Sequence, residues 1–158
     1  MGVTTLETIL EKIEPARKEG ARVVLTNGAF DMLHVGHLRY LQGAAALGDV
    51  LIAAVNSDSS VRLSKGPSRP VIPDTERAEL VSALKVVDWV FLFDEPTVAE
   101  VIEVLRPNIH AKGTDYTAES IPERTVVESY GGRVAIVGDP KDHSTSALVE
   151  QLKELDGE

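Results

Sequence analysis

Two histidines three residues apart, His34 and His37, stand on either side of Gly36 in the segment Thr26-Asn27-Gly28-Ala29-Phe30-Asp31-Met32-Leu33-His34-Val35-Gly36-His37. The apolar run Val23-Val24-Leu25 before it reads as a buried strand, and residues 35–47 read as a helix closed by Gly48. The i, i+3 spacing sets both imidazoles on one helix face. That face lies at a helix start, where free N–H groups and the helix dipole favour phosphate. Gly36 takes away a side chain where a ligand needs to approach closely. Two imidazoles, neutral or cationic donors, suit a phosphate that develops charge. Zinc suits them less, because no third ligand of zinc type is evident, although Asp31 is of a suitable kind. Local packing or capping would account for a single histidine; the pair with its glycine, after a strand and a glycine loop, favours phosphate. The loop is neither GxGxxG nor GxxxxGK[ST], which disfavours a dehydrogenase or a P-loop kinase.

Other residues extend this chemistry. Lys65 lies in the stretch 57–75, which holds Gly66, Pro67, Pro70 and Pro73 and shows no clear periodicity. A long loop with an ammonium group is suited to closing over phosphates; a solvated surface lysine is the plain alternative. Arg62 and Arg69 share that loop. Arg77 opens the next helix, where the dipole disfavours a cation, so an anion must offset it, either substrate phosphate or Asp74. Asn56 ends a strand and is a substrate candidate by position. Lys112-Gly113-Thr114-Asp115-Tyr116 follows another strand, with Asp115 either a ligand contact or a turn residue. Ser144-Thr145-Ser146 opens the last helix with hydroxyls and backbone N–H groups, which serve as an N-cap or a phosphate seat.

These groups need a frame, and the hydrophobic pattern supplies one. Leu6, Ile9, Leu10 and Ile13 give an amphipathic helix over 4–18, with Gly20 as its left-handed stop. Apolar runs at 23–25, 50–55, 89–93, 109–112 and 133–137 read as five buried strands, with Trp89 and Phe91 in the core. They alternate with helices over 35–47, 76–85, 98–105, 123–130 and 144–155. Doubly apolar strands alternating with helices indicate a parallel sheet covered on both faces. The expectation is one Rossmann-like α/β domain over 1–158, with an N-terminal helix in 1–20, a core in 21–155, and a ligand at the carboxyl ends of the strands.

Composition excludes several classes. The chain has 158 residues, no cysteine and a net charge of −9, so thiol catalysis and cysteine-ligated metals are ruled out and polyanionic partners such as nucleic acid are disfavoured. Residues 21–93, which hold the histidine pair and the long loop, are net neutral; the acidity lies in the flanking helices. The charged N-terminus lacks the apolar core of a signal peptide and no run approaches a membrane span, so a cytoplasmic location is expected.

GAFDMLHVGH resembles the GxFDxxHxGH signature of the cytidylyltransferase-like nucleotidyltransferases. AVNSDSSVRLSKGPSRPVIPDTERAELVSAL, VDWVFLF, RPNIHAKGTDY and STSALVEQL occur in the order found in the D-glycero-β-D-manno-heptose 1-phosphate adenylyltransferases of lipopolysaccharide assembly. The similarity runs from about Lys12 to Leu152. It implies attack of a sugar 1-phosphate on the α-phosphorus of ATP, giving ADP-heptose and pyrophosphate without a covalent enzyme intermediate. It implies that His34, His37 and Lys65 act on the phosphates, and that Thr26, Asn27, Gly28, Ala29, Phe30 and Gly36 surround the triphosphate. By the same resemblance Lys112, Gly113 and Asp115 would line base and ribose; by their place in the chain Ser144, Thr145 and Ser146 are expected to seat phosphate, and Asn56, Arg69 and Arg77 to meet the acceptor. Mg²⁺ is the expected companion of such a transfer, with no protein ligand for it assigned. Related cytidylyltransferases carry an arginine shortly before their Ser-Thr pair; residues 138–143 contain none, which leaves Lys141 or His143 as replacements. A glycerol-3-phosphate cytidylyltransferase is the nearest alternative activity, and a catalytically silent nucleotide-binding protein the alternative of another kind. The resemblance also implies a separate sugar kinase and allows a homodimer.

Overall fold

The structure, a computed structural model, describes residues 2–140 and 143–156. In chain order its elements are β1 (Gly2–Val3), α1 (Leu6–Lys18), β2 (Val23–Gly28), α2 (Val35–Ala45), β3 (Val50–Asn56), α3 (Asp58–Lys65), α4 (Asp74–Ser82), β4 (Trp89–Phe93), α5 (Ala99–Leu105), β5 (Ile109–Lys112), a 3₁₀ turn (Ala118–Ser120), α6 (Arg124–Ser129), β6 (Arg133–Ile136) and α7 (Thr145–Asp156). The strands form one sheet in the order β1-β4-β3-β2-β5-β6, and every pairing is parallel.

Six strands replace the five expected from the sequence. The extra one, β1, is two residues long and pairs Gly2 with Trp89 and Val3 with Val90 at the sheet edge. A segment so short carries no hydrophobic period, so it is held by its ladder: the Gly2 N–H donates to the Asp88 carbonyl at 3.1 Å and the Thr4 N–H to that of Val90 at 2.9 Å.

The period of two along each central strand divides the core. Leu25, Ile52, Ala54 and Phe91 face α1, α5 and α6 on one side, where Ile9, Ile13 and Ile102 meet them. Val24, Leu51, Ala53, Val55 and Val90 face α2 and α4 on the other, against Leu41, Ala44 and Val81. The helix ends follow ordinary rules. Thr5 caps α1 by accepting from the Thr8 N–H at 3.2 Å. Gly20, at φ 89°, lets the chain turn left-handed after that helix.

A second departure concerns residues 57–75. Their first half is a helix, α3, capped by Ser57, which accepts from the Ser60 N–H at 3.3 Å. Lys65 is therefore the last residue of a helix instead of a member of a long loop. The helix buries only Ser60 and Val61 and leaves Leu63 82 % exposed, so it has almost no apolar stripe to betray it.

Candidate active site

β2 sits centrally, with β3 on one side and β5 on the other. The chain leaves β2 toward β3 and β4 and later crosses back to β5 and β6. The crevice at the carboxyl ends of β2 and β5 is thus the topological switch point, where doubly wound sheets take their ligands. A cavity of about 430 Å³ opens there. Asn27, Gly28 and Ala29 enter its wall from the end of β2, and His34, Gly36 and His37 from the start of α2. Asn56 comes from β3 and Lys65 from α3, while Lys112, Gly113 and Asp115 follow β5, and Ser144, Thr145 and Ser146 open α7. The fold thereby brings together most of the residues singled out from sequence.

His34 is the N-cap of α2, and its Nδ1 accepts from the Gly36 N–H at 3.1 Å. The Nδ1 of His37 accepts in turn from the His34 N–H at 3.3 Å. This reciprocal arrangement is a capping box built from two imidazoles. A nitrogen that accepts carries no proton, so each neutral ring bears its hydrogen on Nε2. The rings lie 4.0 Å apart between centroids. Burial, then His34 and Lys65, hold His37 down to about pKa 4 against the pull of Asp31. Burial and His143 lower His34 as well. Both rings therefore offer Nε2–H as neutral donors at neutral pH. A Cβ added to Gly36 would lie 2.8 Å from the Cε1 of His34 and 3.3 Å from the Cβ of His143, so glycine is needed for this ring to keep its place.

Two lysines line the same cleft. The positive charge of Lys65 is near enough to depress His37. The Lys112 ammonium donates to Asn27 Oδ1 at 3.3 Å and lies 4.4 Å from the centroid of the Tyr116 ring. Burial holds Lys112 below the usual lysine range, opposed by Glu123 and Asp115. The α7 N-terminus is fixed by Ser144, which accepts from the Ala147 N–H at 3.1 Å, and by Thr145, whose hydroxyl donates to the Asp31 carbonyl at 2.6 Å. Neither α2 nor α7 carries an acidic side chain in its first turn. Two helix N-termini, two imidazoles and two ammonium groups thus line one cleft, an arrangement that suits a polyphosphate.

Four expected contacts lie outside the cavity wall, and each has a protein partner or a core role. Thr26 is fully buried and its hydroxyl donates to the Ile52 carbonyl at 3.3 Å. The Phe30 ring packs in the core behind the site, 5.7 Å from His37 and 6.4 Å from Tyr40 between centroids. Arg69 reaches Asp31 Oδ2 at 3.5 Å. Arg77 has no exposure; its Nε donates to the Ile72 carbonyl at 2.9 Å, its Nη1 to the Ala29 carbonyl, and its Nη2 to Asp58 at 2.9 Å. Its offsetting anion is therefore Asp58, which replaces the expected substrate phosphate or Asp74.

Asp31 is also occupied. Its carboxylate accepts from the Val71 N–H at 2.8 Å and the Ile72 N–H at 3.0 Å, which ties the 66–73 loop to the site. The residues on either side of it, Phe30 and Met32, have positive φ of 51° and 50°, strain that these bonds hold in place. Among the described residues no group of three or more His, Asp or Glu is arranged to hold a metal ion. With Asp31 committed to backbone N–H groups, the donor set does not fit a resident divalent cation.

The wall also contains residues that sequence reasoning left without a role, including Tyr40, Val61, Ser64 and Asp139. Tyr40 donates to the Ala111 carbonyl at 2.7 Å and Asp139 pairs with Arg39 at 2.6 Å. Their positions on α2 and after β6 become visible only through the topology. Of the two proposed substitutes for the missing arginine, His143 lines the cavity with its ring 6.4 Å from that of His34; Lys141 lies outside the described residues.

The chain has relatives among known proteins. The chain is 48 % identical over 146 residues to the bifunctional protein HldE of Syntrophotalea carbinolica, covering 92 % of this chain and 30 % of that protein. It is 46 % identical over 156 residues to HldE of Geobacter sulfurreducens, covering 99 % and 32 %. The chain thus spans about a third of the length of the curated relatives it matches. Among solved structures it resembles the lipopolysaccharide core biosynthesis protein of Thermoplasma volcanium GSS1, with a TM-score of 0.68 and 28 % identity over 77 % of this chain and all of that one. The fold is shared with pantoate-beta-alanine ligase of Francisella tularensis at a TM-score of 0.62 and 14 % identity, covering 92 % and 69 %. The sequence profile of the cytidylyltransferase-like family matches residues 25–152, and the chain belongs to that family.

Proposed function

We propose that this chain transfers the adenylyl group of ATP to a sugar 1-phosphate, a heptose 1-phosphate, and releases pyrophosphate. The observation that carries the reading is the histidine capping box at a helix N-terminus, which lines one cleft together with Lys65 and Lys112. A phosphate oxygen of the acceptor attacks the α-phosphorus, the bond to the bridging α–β oxygen breaks, and pyrophosphate departs with that electron pair. His34 and His37 stabilise charge growing on the transferring group, by donors already oriented before reaction. Lys65 and Lys112 take up the charge of the polyphosphate, and the α7 N-terminus seats a further phosphate. Catalysis then rests on alignment and charge stabilisation, with no nucleophile supplied by the protein. Mg²⁺ enters in this reading with the triphosphate, and no step is assigned to it.

The heptose acceptor is supported by the sequence likeness to HldE proteins and to a lipopolysaccharide core biosynthesis protein. In this reading residues 1–158 act as one nucleotidyltransferase domain in the cytoplasm. A kinase that phosphorylates an anomeric hydroxyl supplies the substrate. A panel of ATP, CTP, GTP and UTP crossed with heptose 1-phosphate, glucose 1-phosphate and glycerol 3-phosphate tests the proposal by pyrophosphate release. ATP with heptose 1-phosphate is the expected pair. Turnover confined to CTP with glycerol 3-phosphate would overturn it, as would ATP binding without turnover on any acceptor.

A further inference from the structure

Asn27, in the wall of the cleft, has a carboxamide whose orientation follows from its partners. Its Oδ1 lies 3.3 Å from the Lys112 ammonium and 3.0 Å from His110 Nε2. An ammonium has only hydrogens to give, so the atom facing it is the carbonyl oxygen and the His110 nitrogen must also donate. His110 is therefore the Nε2–H tautomer, with a bare Nδ1. The structure agrees, because His110 Nδ1 is buried without a partner, and a lone pair is cheaper to leave unpaired there than an N–H group. Burial and the neighbouring Lys112 hold His110 down to about pKa 3, so it stays a neutral single donor across the working range. With both acceptor positions of Oδ1 taken, what Asn27 has left to offer the cleft is its NH₂ group.

Building on the adenylyl-transfer reading, we propose that His110 is a positioning residue that locks the Asn27 amide with its NH₂ toward the nucleotide phosphates. Lys112 alone would not do this. Its ammonium is a flexible point charge that also serves the ligand and the Tyr116 ring, and once it turns to phosphate the amide is free to present either end. The fully buried imidazole on β5 has no such freedom, since the strand pairing places His110 beside Leu25 and fixes its reach to the end of β2. A carbonyl oxygen turned toward phosphate would repel it, so the lock decides whether Asn27 attracts the nucleotide or opposes it.

The test uses the full chain in two arms. In the first, ¹⁵N-histidine NMR reads the His110 tautomer without ligand or turnover; an Nε2–H signal persisting to about pH 4 is expected, and an Nδ1–H tautomer overturns the proposal. In the second, His110→Leu raises KM for ATP about tenfold with little change in kcat or in KM for the acceptor, the loss of one oriented hydrogen bond to a charged group. His110→Gln, whose amide can donate to Oδ1, restores most of that affinity, which a purely structural role would not produce. Equal KM in folded His110→Leu and wild type overturns the positioning role. An inactive wild type overturns the functional reading instead, and the tautomer measurement then still decides how the amide is held.

Discussion

The backbone N–H of His34 donates to Nδ1 of His37 while Nδ1 of His34 accepts from Gly36, so one hydrogen-bond pattern both starts α2 and orients two imidazoles toward the cleft. The same bonds that satisfy the helix end fix the tautomers. With His37 held down to about pKa 4 by burial, His34 and Lys65, and His34 lowered as well, both rings work as neutral donors. The pH profile of kcat should therefore show no loss of activity as pH rises through about 6.5, the ordinary histidine value. A decline centred near that value and removed in His37→Asn would mean that the imidazolium form is the working one.

Replacing His37 by alanine removes one preorganised donor and leaves most nucleotide contacts in place. We expect kcat to fall about 100- to 1,000-fold, the usual effect of deleting one such group, with ATP affinity changed far less. Stopped-time assays of pyrophosphate release beside equilibrium binding of ATP separate the two quantities. A His37→Ala enzyme with wild-type kcat would remove His37 from the chemistry.

Gly36 supplies a sharper test of geometry. Its added Cβ would sit 2.8 Å from one atom of the His34 ring and 2.9 Å from another, closer than real contacts allow. Gly36→Ala must therefore displace that ring, although alanine is the better helix former by about 1 kcal/mol. The expected outcome is a large loss of kcat with thermal stability little changed. Activity retained in full would show that the ring position matters less than the donor itself.

Much of this was legible in the sequence, for reasons that identify what was not. The parallel sheet announces itself because central strands buried on both faces must be apolar throughout, as 50–55 are. The histidine pair, Asn27, Lys112 and the Ser144 cap could be placed because each lies within a residue or two of the end of a strand or the start of a helix, and the carboxyl edge of the sheet gathers them. β1 was illegible because two residues have no period. α3 leaves its signal in polar residues, with Ser57 as cap, Asp58 in the first turn, Arg62 and Lys65 in the last and Gly66 beyond, while the apolar pattern of the segment shows no clear period. Arg77, a cation near a helix start, asks for an anion, and nothing local indicates that Asp58, 19 positions earlier, provides it. His110 gave no signal, since its role depends on a partner on another strand.

Stability should carry the mark of the two most strongly depressed histidines. His37 and His110 are held at about 4 and about 3, both below the unfolded value of about 6.5. The unfolded chain binds their protons first as the solution is acidified. Their contribution is fully present above pH 6.5 and is lost as pH falls from there toward the folded values. Denaturant titrations between pH 7 and pH 4 should show a falling unfolding free energy, with a shallower slope in His110→Leu. An identical slope in wild type and variant would mean that His110 titrates normally in the folded chain.

Arg77 is expected to matter through the fold of the site. Its guanidinium is wholly buried, holds the carbonyls of Ile72 and Ala29, and pairs with Asp58. It thereby joins the loop after β2 and α3, both of which border the cleft, to the segment before α4. Arg77→Met keeps much of the volume but strands one carboxylate and two carbonyls, which should cost about 3 kcal/mol, the lower end for breaking a buried pair. Arg77→Lys should rescue little of this, because a single ammonium cannot reproduce the forked geometry that spans three acceptors. Denaturant unfolding measures the loss directly. A residue that bound substrate phosphate would behave differently: its replacement would raise KM for the acceptor and leave the unfolding midpoint almost unmoved.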